Sequence, residues 1–441
     1  MKKYISLCCI LLITACSNNA DPGLALETQG KTELTVSTYG RNTYLEEAAE
    51  IFMSQHQDVS IIVNTFASDI SVDAMDAVTM YTNIQGDQSP EKYIKNMNTS
   101  IMAGSGSDLI AMDVLPYYKY AESGYLEDLS PYLEDGQFLQ ENFYEDMLKA
   151  LRFSGGIYML PTDYTSYLTG VHYLYEQNLD SNGMKISDIV TSGVQAFEGG
   201  NQLGEYIYHD AFELFSLLYN ENYSQILNLV DKTCQYDSVL FTNILDRCKQ
   251  IQNDGLIPNQ QRNGEDDNLY YFTFDSIWTQ NLLTPYFGFG DEYGEMVPVT
   301  DSEGNVYFTG LHSFAINHNS DNKDIAWAFL NYMLSEEMQS RPGTFPVNKK
   351  ALENGYKQQI IQMLNEAIEN GIALNGEPEE IANLYVENIK QFSGRINIYC
   401  FKDPIIEGIV EQEVTAYLSG NQTAEDTGRS IQSKVSTYLS E

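Results

Sequence analysis

The stretch Glu33-Leu34-Thr35-Val36-Ser37-Thr38-Tyr39 alternates apolar and polar side chains, as a strand packed on a core must. Residues 44–55 follow, with Leu45, Ala48, Ala49, Phe52 and Met53 at helical spacing, and residues 59–66 return to the strand pattern. Strand, helix and strand in this order need a crossover, so the two strands should lie parallel with the helix packed on their sheet. Residues 68–90 are polar with weak periodicity and read as a surface excursion. Helix should resume over 90–102 and break at Gly104-Ser105-Gly106-Ser107, before a buried strand at 108–112.

Outward from this unit the alternation continues. Gly155-Gly156-Ile157-Tyr158-Met159-Leu160-Pro161 reads as a turn and short strand, and 206–218, 224–233 and 237–253 read as helices. A single strand is expected over 308–316, an amphipathic helix over 323–336 and a closing helix over 424–439. The fold class is therefore α/β. At 441 residues the chain has length for two or three domains. It shows no internal repeat and no linker inside the folded part, which suggests lobes joined by several crossings of the chain.

With 62 Asp and Glu against 24 Lys and Arg, the formal charge is -38. That balance excludes a phosphate-binding surface and adhesion to anionic lipid. Nucleic acid is not an expected partner. A hydrophobic fraction of 43% excludes a disordered polyanion.

Lys2 and Lys3 precede a short apolar run ending in Thr14-Ala15-Cys16, which has the parts of a secretory signal and is too short to span a bilayer. Ile13-Thr14-Ala15-Cys16 resembles a bacterial lipobox. On that reading residues 1–15 are the signal, Cys16 carries lipid and 16–23 form a polar tether. Cys8 and Cys9 leave with the signal, and Cys234, Cys248 and Cys400 remain. Their odd number and irregular spacing do not make a disulfide framework. Cys234 and Cys248 could pair or stay as buried thiols.

Several segments together resemble the family 1 extracellular solute-binding proteins, the lipid-anchored receptors of ATP-driven sugar importers related to maltose-binding protein. They are Ala103-Gly104-Ser105-Gly106-Ser107-Asp108 with Ala121-Glu122-Ser123-Gly124-Tyr125-Leu126, then Gly156-Ile157-Tyr158-Met159-Leu160-Pro161 with Tyr173-Leu174-Tyr175. Gly310-Leu311-His312-Ser313-Phe314-Ala315-Ile316, Thr344-Phe345-Pro346-Val347-Asn348 and Tyr417-Leu418-Ser419-Gly420 complete the set. Ser107 stands where the family usually has Pro. The resemblance implies a two-lobed periplasmic-binding-protein-like fold, with interleaved lobes, a central ligand cleft and a hinge. The N-terminal lobe should hold 24–165 plus 311–350 and the C-terminal lobe 166–310 plus 351–441, with crossings near 163–167, 310–313 and 341–348. It further implies an extracellular monomer, held to the outer face of the cytoplasmic membrane by lipid alone. Its partners would be a sugar and the permease subunits of an ABC transporter, with no cofactor and no catalysis.

A neutral sugar offers apolar faces and many hydroxyls, so its site needs rings to stack on and fixed planar groups for hydrogen bonds. Strand ends supply candidates: Asp113 and Tyr117 after the strand at 108–112, and Asp163 and Tyr164 after Pro161. The resemblance adds Tyr39 and Arg41 at the family's first ligand loop, Trp278 in the second lobe, and Tyr399 and Asp403 near a late aromatic contact. Trp327 sits on an amphipathic helix and reads as core.

Competing chemistry is thinner. His56, His172, His209, His312 and His318 show no metal spacing, and read as core or surface. Asp180-Ser181-Asn182-Gly183 and Asp301-Ser302-Glu303-Gly304 lack the register of a calcium loop and read as turns. The Gly104 segment lacks a phosphate-loop lysine, and no Gly-x-Ser-x-Gly elbow occurs. A surface carbohydrate-active enzyme, or a solute receptor for a sensor protein, are the alternatives; the enzyme would need two carboxylates facing each other across the cleft.

Overall fold

The computed structural model describes residues 31–74, 83–134, 142–172, 183–198, 210–254, 272–276, 293–340 and 345–441. The signal, the tether, Cys16, Trp278 and the segment 173–175 lie outside them. The opening unit forms as its periodicity requires. The strand Thr32–Arg41 runs parallel to Val59–Ser71, with Val36 opposite Val63. Between them helix Thr43–Gln55 starts on the Asn42 side chain, which accepts the Leu45 N–H at 2.8 Å, and buries Leu45, Ala48, Ala49 and Phe52.

This sheet has five strands. Its order is Val59–Ser71, Thr32–Arg41, Leu109–Ala111, Ser313–Ile316 and Leu160–Pro161, the last two antiparallel to their neighbours. A second sheet orders Phe272–Ser276, Tyr167–His172, Tyr293–Thr300 and Met184–Lys185. A third, small sheet orders Phe345–Pro346, Asp163–Thr165, Val306–Gly310 and Ile396–Tyr399. The chain leaves the first sheet at Pro161, passes through the third and enters the second at Tyr167. It returns from Thr300 through Val306–Gly310 to Ser313. The third sheet thus gathers segments from each of the three regions read as crossings.

One hydrophobic cluster joins the first sheet to Trp327, Phe329, Phe345, Ile360, Tyr385 and Phe392. The other joins Tyr39, Tyr117 and Tyr118 to Phe215, Tyr236, Phe241, Ile406 and Ile431. The stretch after residue 350 therefore divides in its packing. Helices Lys357–Glu369 and Pro378–Ser393 belong with the first cluster, and Pro404–Leu418 and Ala424–Ser440 with the second.

Two elements differ from the sequence reading. The run 308–316 is two strands, because its halves serve different sheets. Gly310 ends the first half against Pro161, where a side-chain carbon would sit 2.8 Å from the proline Cβ, and Leu311-His312 makes the bend. The stretch 224–233 is helical only in Tyr223–Ile226 and then forms a hairpin of Leu227–Asn228 with Thr233–Cys234. Asn228 accepts the Asp231 N–H at 3.0 Å, a side-chain turn that competes with helix. Cys234, Cys248 and Cys400 are free thiols. Asp301 accepts the N–H groups of Glu303 and Asn305, each at 2.8 Å, and Gly304 takes φ +86, so this segment is a turn.

Candidate functional site

Two carboxylates, Asp113 and Asp163, meet the His312-Ser313 backbone where the first sheet hands the chain to the third. Asp113 follows strand Leu109–Ala111, Asp163 opens strand Asp163–Thr165, and His312 is in the bend between Val306–Gly310 and Ser313–Ile316. His312 Nδ1 lies 3.0 and 2.9 Å from the two Asp163 oxygens, and the His312 N–H donates to Asp163 Oδ1 at 3.0 Å. The next N–H, of Ser313, donates to Asp113 Oδ1 at 3.3 Å. Among the described residues, Asp113 Oδ2 is enclosed with no hydrogen-bond partner, and so is the hydroxyl of Tyr93. Burial alone would lower the His312 imidazole; the Asp163 carboxylate outweighs it, with Asp113 and Asp73 adding, and holds the ring up at about 10. Burial raises the Asp113 carboxyl to about 6 against the opposing charge of His312.

Aromatic rings adjoin this cluster. Tyr39 stacks on Phe66 at 6.3 Å and meets Tyr93 at 5.6 Å, and its hydroxyl donates to the Gln88 carbonyl at 2.8 Å. Burial pushes the Tyr39 phenol up to about 12. Tyr117 touches Phe401 at 4.8 Å and Tyr399 at 6.4 Å. Tyr117, Phe153, Tyr223 and Tyr399 line a cavity of about 250 Å³, with Asn220 and Arg152 at its wall; Asp113, Asp163 and His312 do not line it, and Tyr399 links the two, standing beside Asp113. Such a lining of rings with a few polar groups suits a small organic solute.

The nine sequence candidates separate on these contacts. Asp163 and Asp113 come together on the adjacent residues His312 and Ser313, and Tyr117 and Tyr399 share the cavity. Tyr39 joins the ring cluster beside Tyr93. Arg41 is exposed and pairs with Glu46 at 3.0 Å. Tyr164 is buried in the core, its hydroxyl on Ser393. Asp403 is fully buried as the N-cap of Pro404–Leu418, accepting from Ile405 N–H, Tyr118 Oη and Tyr438 Oη at 2.8, 2.9 and 3.0 Å. Trp278 lies outside the described residues. His312 and Tyr93 were missed. For His312 a signal existed, its place at an expected crossing; for Tyr93, one apolar position on a helix, none did. Among the described residues no group of side chains could hold a metal ion.

Among the described residues, mixed sheets and helices with the crossings gathered in one four-stranded sheet match a two-lobed binding-protein fold. Residues 81–363, more than half of the chain, match the family described as bacterial extracellular solute-binding protein. The chain belongs to that family. Solved structures agree on the fold. The sugar-binding protein MalE of Xanthomonas citri is 14% identical, covers 93% of this chain and 98% of its own, and gives a TM-score of 0.60. The ABC substrate-binding protein Lmo0181 of Listeria monocytogenes, in complex with cycloalternan, is 16% identical over 93% of this chain and 99% of its own, with a TM-score of 0.55. Maltose-bound MalE3 of T. maritima is 15% identical over 92% and 100%, again with 0.55. A search of curated protein sequences found no match.

Proposed function

We propose that this chain is a lipid-anchored receptor that captures a mono- or oligosaccharide by closing its lobes and hands it to an ABC permease, without catalysis. One observation carries the reading: Asp113, with one oxygen that no described residue fills, stands beside the Tyr93 and Tyr399 rings near the crossings. Carboxylates accept from sugar hydroxyls, and rings stack on the apolar sugar face. Family membership and the sugar-binding neighbours support it. The lobes would follow the boundaries expected from sequence except after residue 350, where helices Lys357–Glu369 and Pro378–Ser393 pack with the first-sheet cluster and would join the N-terminal lobe; the third sheet would be the hinge. The acid cluster favours one second reading, a cationic solute such as a polyamine, because Asp73, Asp113 and Asp163 face the single charge of His312.

The proposed anchor is lipid on Cys16, at the lipobox-like Ile13-Thr14-Ala15-Cys16; no described helix is long and apolar enough to cross a membrane. Incubation with maltose and longer glucans tests the absence of catalysis: the sugars should be recovered intact, and hydrolysis products would overturn it. Release of the Cys16→Ser protein from the membrane fraction tests the anchor; retention would contradict it.

A further inference from the structure

We propose that His312 is a positioning residue: the His312-Ser313 pair fixes the Asp163 and Asp113 carboxylates together, and leaves one oxygen of Asp113 to accept from a hydroxyl or ammonium group of the ligand. This rests on the solute-binding reading above. The two residues divide the work between side chain and backbone. Asp163 takes both the ring and the N–H of His312, and Thr162 Oγ1 donates to it at 3.3 Å. From the described residues Asp113 receives only the Ser313 N–H, at 3.3 Å. A buried carboxylate oxygen without a donor is unfavourable and uncommon, and a donor brought by the ligand would complete it.

The charges around the pair explain why a cation is needed there. His312 is faced by Asp163, Asp113 and Asp73. Asp113 is faced by His312, Asp163 and Asp73, with the phenols of Tyr93 and Tyr399 beside it. Remove the imidazolium and Asp113 faces two other carboxylates in a low-polarity site. It would then take up a proton at higher pH and offer the ligand a poorer acceptor.

The first test needs no ligand. The stability of D113N subtracted from that of the wild type, followed from about pH 4 to pH 9, reports the titration of Asp113. The difference should bend near 6 with His312 present, and about one pH unit or more higher when both proteins carry H312Q. The acid limb of maltose binding, measured by calorimetry on the full chain, should move by the same amount. A bend that stays in place, with affinity lowered equally at every pH, would reduce His312 to a structural role. Should H312Q fail to fold, D163N keeps the ring and removes its partner; the ring should then titrate well below its wild-type midpoint by NMR, and an unchanged midpoint would sink the proposal. If maltose and other sugars leave the wild type untouched, the sugar reading fails, while the stability difference still decides the role of His312.

Discussion

The Tyr118 hydroxyl donates to the Asp403 carboxylate across 2.9 Å, and this bond ties the helix after the Asp113 loop to the C-terminal helical pair. Tyr438 donates to the same oxygen at 3.0 Å, and Lys119 Nζ reaches the Tyr438 carbonyl at 2.6 Å. Asp403 is thus a structural acceptor joining distant segments. Tyr118→Phe should lower stability by about 1.5–3 kcal/mol, the range for a hydrogen bond to a charged group. Asp403→Ala should cost about 3 kcal/mol, since two phenols and the helix start lose their acceptor. Denaturant unfolding checks both, and a neutral Asp403→Ala would return that residue to the list of ligand contacts.

Stability should fall with rising pH in two windows. The folded His312 ring, at about 10, binds its proton more tightly than an unfolded histidine at 6.5; its contribution is full below 6.5 and is lost as pH rises to about 10. Asp113, at about 6 against 3.8, also holds its proton better when folded. Its contribution is present below about 4 and gone above about 6. H312Q should flatten the upper window and D113N the lower, as read by denaturation midpoints across pH. An upper window left intact in H312Q would contradict the ion pair with Asp163.

Gly310 sets the close approach at the second crossing. A side-chain carbon there would lie 2.8 Å from both Pro161 Cβ and Ser313 Oγ. Gly310→Ala should therefore destabilise by about 1–3 kcal/mol, the usual range for overpacking, and weaken ligand binding by disturbing Ser313. Unchanged unfolding and binding would show that the crossing has room.

The three remaining thiols should differ in reactivity. Burial pushes Cys248 up to about 12 and Cys400 to about 11, so neither presents a thiolate at neutral pH. Cys234 is less enclosed, with its sulfur 3.4 Å from Ser436 Oγ. A thiol reagent should label Cys234 slowly and the others only after unfolding. Rapid labelling of Cys400 in the native protein would place it at an accessible surface.

The opening strand, helix and strand were legible because local periodicity and global packing agree there. Trp327 was legible for the same reason, and it packs against Tyr132 at 5.2 Å in the core. The run 308–316 was not, since one apolar stretch feeds two sheets and only the approach of Pro161 to Gly310 reveals the bend. Strand ends could be read from sequence, which brought Asp113 and Asp163 to notice. What a strand-end side chain touches could not. Asp403 and Asp113 look alike in sequence, yet one meets four donor groups and the other keeps an oxygen that no described residue fills. His312 gains its meaning only when the first and second crossings meet, a contact between residues far apart in the chain.

A sugar is the proposed occupant of this site. A thermal-shift screen of the soluble form from Ser17 to Glu441, against sugars, amino acids and polyamines, tests it most directly. At a hundred times its dissociation constant a bound sugar should add about 2.7 kcal/mol of stability and raise the melting temperature. A shift with a polyamine or amino acid, and none with any sugar, would contradict the account.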